Sequence, residues 1–233
     1  MYDIETQVPA FIHITTASVH DVKAMDVIPY EPGSFYIFDR GYNDFKRLFR
    51  IDMLGSFFVI RPKGNIKYGI VKWKRRLPKN VLSDAEIELT GYYPSKHYPK
   101  RLRLIKYWDE EQGRKFIFLT NAFGLSALLV AELYKNRWLV ELFFKWLKQH
   151  LRIKKFWGTS ENAVKTQIYV AIITYCLVAI VQRDLRLERS TYEVLQILSV
   201  SLTDTTPLKK LLIKTDHNDV KEQIENSGLL LFD

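Results

Sequence analysis

The sequence predicts an α/β fold interrupted by a β-rich insertion and followed by a helical C-terminal part. Three observations carry that prediction. In the first quarter of the chain, short apolar runs alternate with helix signals. At Pro62 the pattern changes to short strands without a helix period. From Ser126 onward the pattern is helical, and no proline interrupts it until Pro207. These changes divide the chain into 1–61, the first part of a core; 62–121, the insertion; 122–185, the second part of the core; and 186–233, a helical C-terminal region.

In chain order, residues 7–15 carry Val8, Phe11, Ile12 and Ile14 and predict a strand that starts near an edge because of Pro9. Ser18 is placed to cap a short helix over 20–27, which Pro29 ends. Residues 34–38, SFYIF, form a nearly continuous apolar run, as in a strand buried on both faces. The run stops at Asp39-Arg40-Gly41-Tyr42. Asn43 is then expected to cap a helix over 44–53 that Gly55 closes. Residues 57–61, FFVIR, predict a further strand, closed by Pro62.

Between 63 and 121 the expectation is strands only. IKYGIVKWKRRL and IELTGYYPS fit strand pieces, and RLRLIKYW and RKFIFLTN, joined by DEEQG, fit a hairpin. Lys72, Lys74, Arg75, Arg76 and Lys79, then Lys96, Lys100, Arg101, Arg103 and Lys106, are interleaved with Trp73, Tyr92, Tyr93, Tyr98 and Trp108. Cations among aromatic rings suit a nucleic-acid face. The plainer alternative is the wet side of a one-sided sheet.

Ser126 is expected to cap a central helix reaching 153. Residues 162–183 predict an apolar core helix, Ser190 and Glu193 form a capping box, and Pro207 opens a short basic helix. Leu229, Leu230, Leu231 and Phe232 near the end suit docking on the core, or, as a second reading, a partner-binding tail.

Composition narrows the function. Among 233 residues, 47% are apolar and 14% aromatic, which excludes disorder and promises a sizeable core. A formal charge of +9 favours a polyanionic partner. The apolar run 168–181 is shorter than the ~20 residues a bilayer span needs. Met1 is followed by Tyr2, Asp3 and Glu5, which is not a secretory leader pattern. A single cysteine, Cys176, allows neither a disulfide nor a zinc–thiolate site and fits a reducing cytoplasm.

The stretch 134–155 organises the rest. At about 100° per residue, Tyr134, Arg137, Glu141, Lys145, Lys148 and Arg152 fall within an arc of roughly 80°. Apolar side chains fill much of the remaining circumference, which reads as a largely buried helix with one ionic stripe. Glu141 is the lone carboxylate in that stripe. Asp39 stands at the carboxyl end of a predicted strand, where open α/β sheets place their ligands, and Gly41 lets the chain turn away. Each residue has a simpler account. Asp39 could satisfy turn amides, and Glu141 could form an i,i+4 pair with Arg137 or Lys145. Taken together they suit phosphodiester cleavage at two metal ions about 3.5–4 Å apart, which needs carboxylates converging from separate elements. Hard oxygen ligands favour Mg²⁺ or Mn²⁺, and neighbouring cations would neutralise the phosphate.

Tyr134, Arg137, Glu141 and Lys148 reproduce a Tyr-x2-Arg-x3-Glu-x6-Lys signature. It resembles the one that marks a large branch of the DDE transposases encoded by bacterial insertion sequences. The segment around Asp39, Phe38-Asp39-Arg40-Gly41-Tyr42, is similar to that family's second catalytic Asp, and 9–21 and 158–172 are also similar to it. The resemblance implies a ribonuclease-H-like core with a β insertion before the Glu helix. It implies Asp39 and Glu141 as metal ligands of a two-metal Mg²⁺ (or Mn²⁺) site. It implies Tyr134, Arg137 and Lys148 as residues that contact or order transposon-end DNA. Lys145 and Arg152 extend the same face and are expected to follow the DNA backbone. The implied partners are double-stranded DNA, both transposon ends and target, with a homodimer in a synaptic complex. The implied location is the bacterial cytoplasm at the nucleoid, with no membrane.

The family's pattern has three carboxylates, the first on the opening strand of the core. The matching region would precede Met1, so the sequence is expected to be an N-terminally truncated copy that lacks its opening strand and is catalytically impaired. Two further readings stand beside it: a non-catalytic DNA-binding remnant that interferes with an intact transposase, and another metal-dependent nuclease of the same fold.

Overall fold

The computed structural model describes residues 1–16, 18–151, 155–201, 203 and 205–212. The chain forms two compact units. The first comprises Met1–Thr6 and Ala10–Phe143, and the second Gln7–Pro9 and Phe144–Asp233.

One six-stranded mixed sheet organises the first unit. Strand β1 (Phe35–Phe38) runs parallel to β2 (Phe57–Ile60), with Phe35 opposite Phe57 and Phe38 opposite Ile60. From β2 the sheet continues antiparallel through β6 (Arg114–Thr120), β5 (Leu102–Asp109), β4 (Val81–Leu89) and β3 (Tyr68–Trp73). The strands after Pro62 therefore extend the sheet that β1 and β2 begin. The predicted hairpin is β5–β6, turned at Gly113.

Side chains alternate across the sheet with period two. Phe58, Ile60, Ile87, Leu104 and Leu119 enter one core, with Leu48 and Ile51 of helix α1 (Phe45–Met53) and with Met25. Val59, Ile105, Phe116 and Phe118 enter the other, covered by Ala127, Val130, Ala131 and Tyr134 of helix α3 (Ala127–Lys135). Each fully buried aliphatic or aromatic side chain contributes about 1.5–3 kcal/mol. An α/β fold with a mixed sheet is thus what the chain forms.

Several local expectations need correction. Residues 7–15 hold no strand; only isolated bridges occur, at Tyr2 and Pro9. Pro9 has no N–H to donate, and the Ala10 and Phe11 N–H groups both donate to the Met1 carbonyl. A 3-10 helix covers Asp21–Asp26, and its N-cap is His20, without a side-chain cap. The Ser18 hydroxyl pairs with that of Thr16 instead. Asp44, not Asn43, caps α1: its Oδ1 accepts from the Arg47 N–H at 3.0 Å. The Asn43 amide donates to the Arg40 and Arg61 carbonyls, at 2.9 and 2.6 Å. Strand β1 buries Tyr36 and Phe38 but leaves Phe35 exposed, because it is an edge strand. Between residues 62 and 121, Tyr92–His97 forms a short helix, α2, where a strand was expected. Pro94 suits its first turn and no strand interior.

The central helix is two helices. Ser126 does cap α3, its Oγ accepting from the Leu129 N–H at 3.1 Å. That helix ends at Lys135, and α4 begins at Trp138 and runs to His150. At the joint the Arg137, Leu139 and Val140 N–H groups donate three residues back, to Tyr134, Asn136 and Arg137. This is a 3-10 pattern that tightens the chain. Asn136 is a weak helix former, and no Gly or Pro signals the break. Nor is α4 largely buried. Phe143 and Leu147 are buried, whereas Trp138, Leu142 and Phe144 are exposed.

In the second unit, α5 (Glu161–Asp184) is capped by Ser160. The expected core helix is buried along one face only, by Ala171, Ile172, Tyr175 and Val178; Val170, Ile173 and Leu177 on other sides are exposed. Among the described residues, α5, with 24 residues and a mean hydropathy of 1.8 over an 18-residue window, is the one helix long and apolar enough to cross a membrane by length and composition. A core helix passes the same test, and Val178, Val181 and Leu185 pack with Val194 of α6 (Thr191–Val200) and Leu212 of α7 (Leu208–Leu212). The Ser190–Glu193 capping box forms as expected. Leu229 to Phe232 and the end of the expected central helix lie outside the described residues.

Candidate active site at the end of the parallel strands

Asp39 is the first residue after β1. The parallel register places it level with Arg61, the first residue after β2. Two neighbouring strand ends thus present opposite charges at the same edge of the sheet. Asp39 does act as a turn residue: it caps the 3-10 turn Arg40–Tyr42, its Oδ1 accepting from the Arg40 N–H at 2.7 Å. Gly41 is not what permits this turn. Its φ is not positive and a Cβ there would meet nothing within 4 Å.

The helical side supplies the rest. Tyr134, near the end of α3, is buried at 6% exposure and packs on Phe118. Its hydroxyl donates to Asp39 Oδ1 at 3.3 Å. Burial pushes the Tyr134 hydroxyl pKa up, and the Asp39 charge adds to this, while Arg137 and Arg61 oppose it. Tyr134 therefore stays protonated and remains a donor.

Arg137 occupies the joint between α3 and α4. Its Nη1 donates to Glu141 Oε1 at 2.6 Å and lies 3.8 Å from Asp39 Oδ2. One guanidinium nitrogen thus bridges the strand-end carboxylate and the helix carboxylate. Burial works against the Arg137 charge, but the Glu141 hydrogen bond and Asp39 outweigh it and hold its pKa above the ordinary value. The i,i+4 pair expected as the plain account of Glu141 does form, and it forms beside Asp39. Both carboxylates remain open to water, with side chains 48% and 43% exposed.

Of the other anticipated residues, Lys145 and Lys148 lie exposed on later turns of α4. Arg152 lies outside the described residues. Among the described residues, no group of three or more His, Cys, Asp or Glu side chains gathers to hold a metal ion. The donor set here is two carboxylates, Asp39 and Glu141. That set fits Mg²⁺, which is commonly held by one or two carboxylates with water and substrate phosphate completing the shell.

Sequence reasoning missed what lies next to this pair. A cavity of about 420 Å³ is lined by Arg61, Arg114, Lys135, Arg137, Phe116 and Trp138, among others. The Arg61 and Arg114 guanidinium carbons lie 5.1 and 4.5 Å from the Phe116 ring centroid, within cation–π range. The available signal was positional. Arg61 follows FFVI as Asp39 follows SFYIF, so parallel pairing of those strands would have aligned them.

The expected basic face of the insertion is thinner than the sequence suggests. Lys74, Lys79, Lys100 and Arg101 each pair with a carboxylate, and Arg103 and Tyr98 are buried. Lys72, Arg75 and Arg76 remain exposed beside Trp73.

Comparison with known proteins fits this geometry. The family described as Transposase DDE domain matches residues 1–177. A Sinorhizobium fredii protein named "Putative transposase y4zB" is 36% identical over 202 residues, covering 84% of this chain and 55% of that protein. A Geobacillus stearothermophilus protein named "Probable transposase for insertion sequence element IS5377" is 34% identical over 178 residues, 76% of this chain and 46% of its own. A Synechocystis protein named "Putative transposase for insertion sequence element IS4SA" is 29% identical over 181 residues, 75% and 50%. The chain spans about half the length of these curated relatives. With the match running through the strand-end aspartate and the whole of α4, the chain belongs to the DDE transposases of insertion sequences.

Proposed function

We propose that this chain takes part in DNA transposition, by metal-dependent strand cleavage and transfer at transposon ends. The observation that carries this reading is the convergence of Asp39 and Glu141, from a strand end and a helix, on one nitrogen of Arg137. Both would be metal ligands. A divalent ion held there supplies charge stabilisation and an activated oxygen nucleophile. Tyr134 holds Asp39 in place by its hydrogen bond. Arg137 and Lys148 would engage the scissile-strand phosphates, and Lys145 and Arg152 the backbone beyond.

A parallel β1–β2 pair, an aspartate where β1 ends and a glutamate on a later helix support a ribonuclease-H-like core. In such a site the third carboxylate comes from a further strand. Among the described residues no strand pairs with the outer side of β1, and one added there would bring its carboxylate beside Asp39. Among the described residues two carboxylates meet at this site, and two alone would be expected to hold a divalent ion weakly and to support little cleavage. The second reading is DNA binding without cleavage, through which the chain would compete with an intact transposase.

The test combines Mn²⁺ titration with duplex binding. Glu141→Gln should abolish Mn²⁺ binding and leave duplex affinity within about twofold, as removing a carboxylate takes no phosphate contact away. Unchanged Mn²⁺ affinity would make Glu141 an ion-pair residue only. Robust Mg²⁺-dependent nicking by the chain alone would remove the expectation of impairment.

A further inference from the structure

We infer that Arg137 is the resident counter-ion of the carboxylate pair, and that it exchanges places with the metal when a phosphate arrives. The inference rests on the metal-site reading above. Its basis is where the Arg137 side chain spends its hydrogen bonds. Nη1 is committed to Glu141 at 2.6 Å and faces Asp39 at 3.8 Å. The position between the two carboxylates that a divalent cation would take is therefore held by a protein cation. On the same guanidinium Nε is buried and has no hydrogen-bond partner. A buried donor left unpaired is costly, so this arrangement leaves Arg137 half satisfied.

A phosphate resolves both conditions. The Arg fork presents parallel N–H groups that match two phosphate oxygens, so a phosphate can satisfy Nε together with a terminal nitrogen. Turning toward a phosphate withdraws Nη1 from Glu141. The two carboxylates then repel one another without a cation between them, and their affinity for a divalent ion rises. Conversely, metal on the carboxylates repels the guanidinium toward phosphate. Metal and phosphate thus bind with positive coupling through one side chain, and linkage makes that coupling reciprocal. Arg137 sits at the 3-10 joint between α3 and α4, where the backbone is outside the regular α-helical ladder.

This separates Arg137 from a residue that only props the carboxylates into position. A prop stabilises the metal-bound form, so removing it weakens metal binding. A counter-ion competes with metal, so removing it strengthens metal binding. The experiment measures Mn²⁺ affinity of the full chain by electron paramagnetic resonance of the free ion, with and without a short DNA duplex. For Arg137→Gln the expected result is Mn²⁺ affinity raised about tenfold without DNA, within the range usual for linked sites. The duplex should tighten Mn²⁺ binding in the parent chain but not in Arg137→Gln. Arg137→Lys keeps the charge without the fork, and should retain weak Mn²⁺ binding while losing the coupling. Circular dichroism of each variant establishes folding. Unchanged or weakened Mn²⁺ binding in folded Arg137→Gln, or coupling that survives in it, overturns the inference. If Glu141→Gln leaves Mn²⁺ affinity unchanged, the metal site itself fails and this inference with it. If Glu141→Gln lowers the affinity and Arg137→Gln does not raise it, only the exchange is wrong.

Discussion

Arg103 on β5 and Asp84 on β4 meet across the sheet as a buried two-pronged ion pair. The Arg103 Nε and Nη2 donate to Asp84 Oδ1 and Oδ2 at 2.7 and 2.6 Å, with side chains 1% and 3% exposed. The remaining nitrogen, Nη1, donates to the carbonyls of Ala122 and Leu125, at 3.2 and 2.6 Å. The pair therefore pins the loop just before Ser126, from which α3 starts toward Tyr134. Arg103→Ala would leave the Asp84 carboxylate buried, with only Lys74 at 3.5 Å. Breaking such a pair costs about 3–5 kcal/mol, read as a lowered urea midpoint. Arg103→Met with Asp84→Leu should cost clearly less than the two single changes added together.

Asn121 clamps the same corner from the other side. Its Oδ1 accepts from the Phe58 N–H at 2.9 Å, and its Nδ2 donates to Asp52 and to the Ser56 carbonyl. Asn121→Ala strands a buried N–H and a buried carbonyl, so about 2–4 kcal/mol of stability should be lost. Equilibrium urea unfolding measures it.

Alkaline pH should destabilise the fold. Burial raises the hydroxyl pKa values of Tyr30, Tyr42, Tyr98 and Tyr134 above the ordinary 10.0. The unfolded chain releases these protons first, so the stability is intact below pH 10 and falls as the pH rises above it. Unfolding free energy followed from pH 8 to 11.5, with Tyr134→Phe as comparison, checks the sign. The variant should show a shallower alkaline decline.

The two glycines on either side of α1 separate sharply. Gly55, just past the end of α1, has φ +74°, and an added Cβ would meet only Pro32 Cβ at 3.9 Å. Gly55→Ala should therefore cost about 1 kcal/mol from backbone strain alone. Gly41→Ala should stay within about 0.5 kcal/mol. Thermal melts of the two variants side by side give the comparison.

Lys145→Ala and Lys148→Ala should each weaken duplex binding with little dependence on sequence. Each should also reduce the slope of log affinity against log salt by about one. Fluorescence anisotropy at several salt concentrations provides both numbers. A slope unchanged in both variants would remove these lysines from the DNA face.

Much of the fold could be read from the residues because local signals agreed with tertiary demands. SFYIF and FFVI became parallel neighbours, DEEQG turned the β5–β6 hairpin, and the Ser126 and Ser190 caps formed where expected. The joint at Asn136–Arg137 was hidden, since it comes from shifted hydrogen bonds rather than from a helix-breaking residue. Exposure of Val170 and Phe144 was hidden for another reason: periodicity records which faces are apolar, not whether anything covers them. Arg103 was misassigned to a wet surface because its buried partner, Asp84, is nineteen positions away in sequence. Asp39 and Glu141 were singled out by type and position, and Tyr134 and Arg137 by the resemblance; the structure brings the four together. What spacing could not provide was the sharing of one guanidinium nitrogen between both carboxylates.

The position of β1 has a practical consequence. Its outer side carries backbone N–H and C=O groups that pair with no strand among the described residues, and its side chains are Phe35, Tyr36, Ile37 and Phe38. The strand holds no lysine, proline or bulge of the kind that keeps sheet edges from templating one another. When the chain is produced alone, β1 is the seed for edge-to-edge stacking. Loss of soluble protein at high concentration should begin there, and a single Phe35→Lys change, at the exposed position of the strand, should delay it.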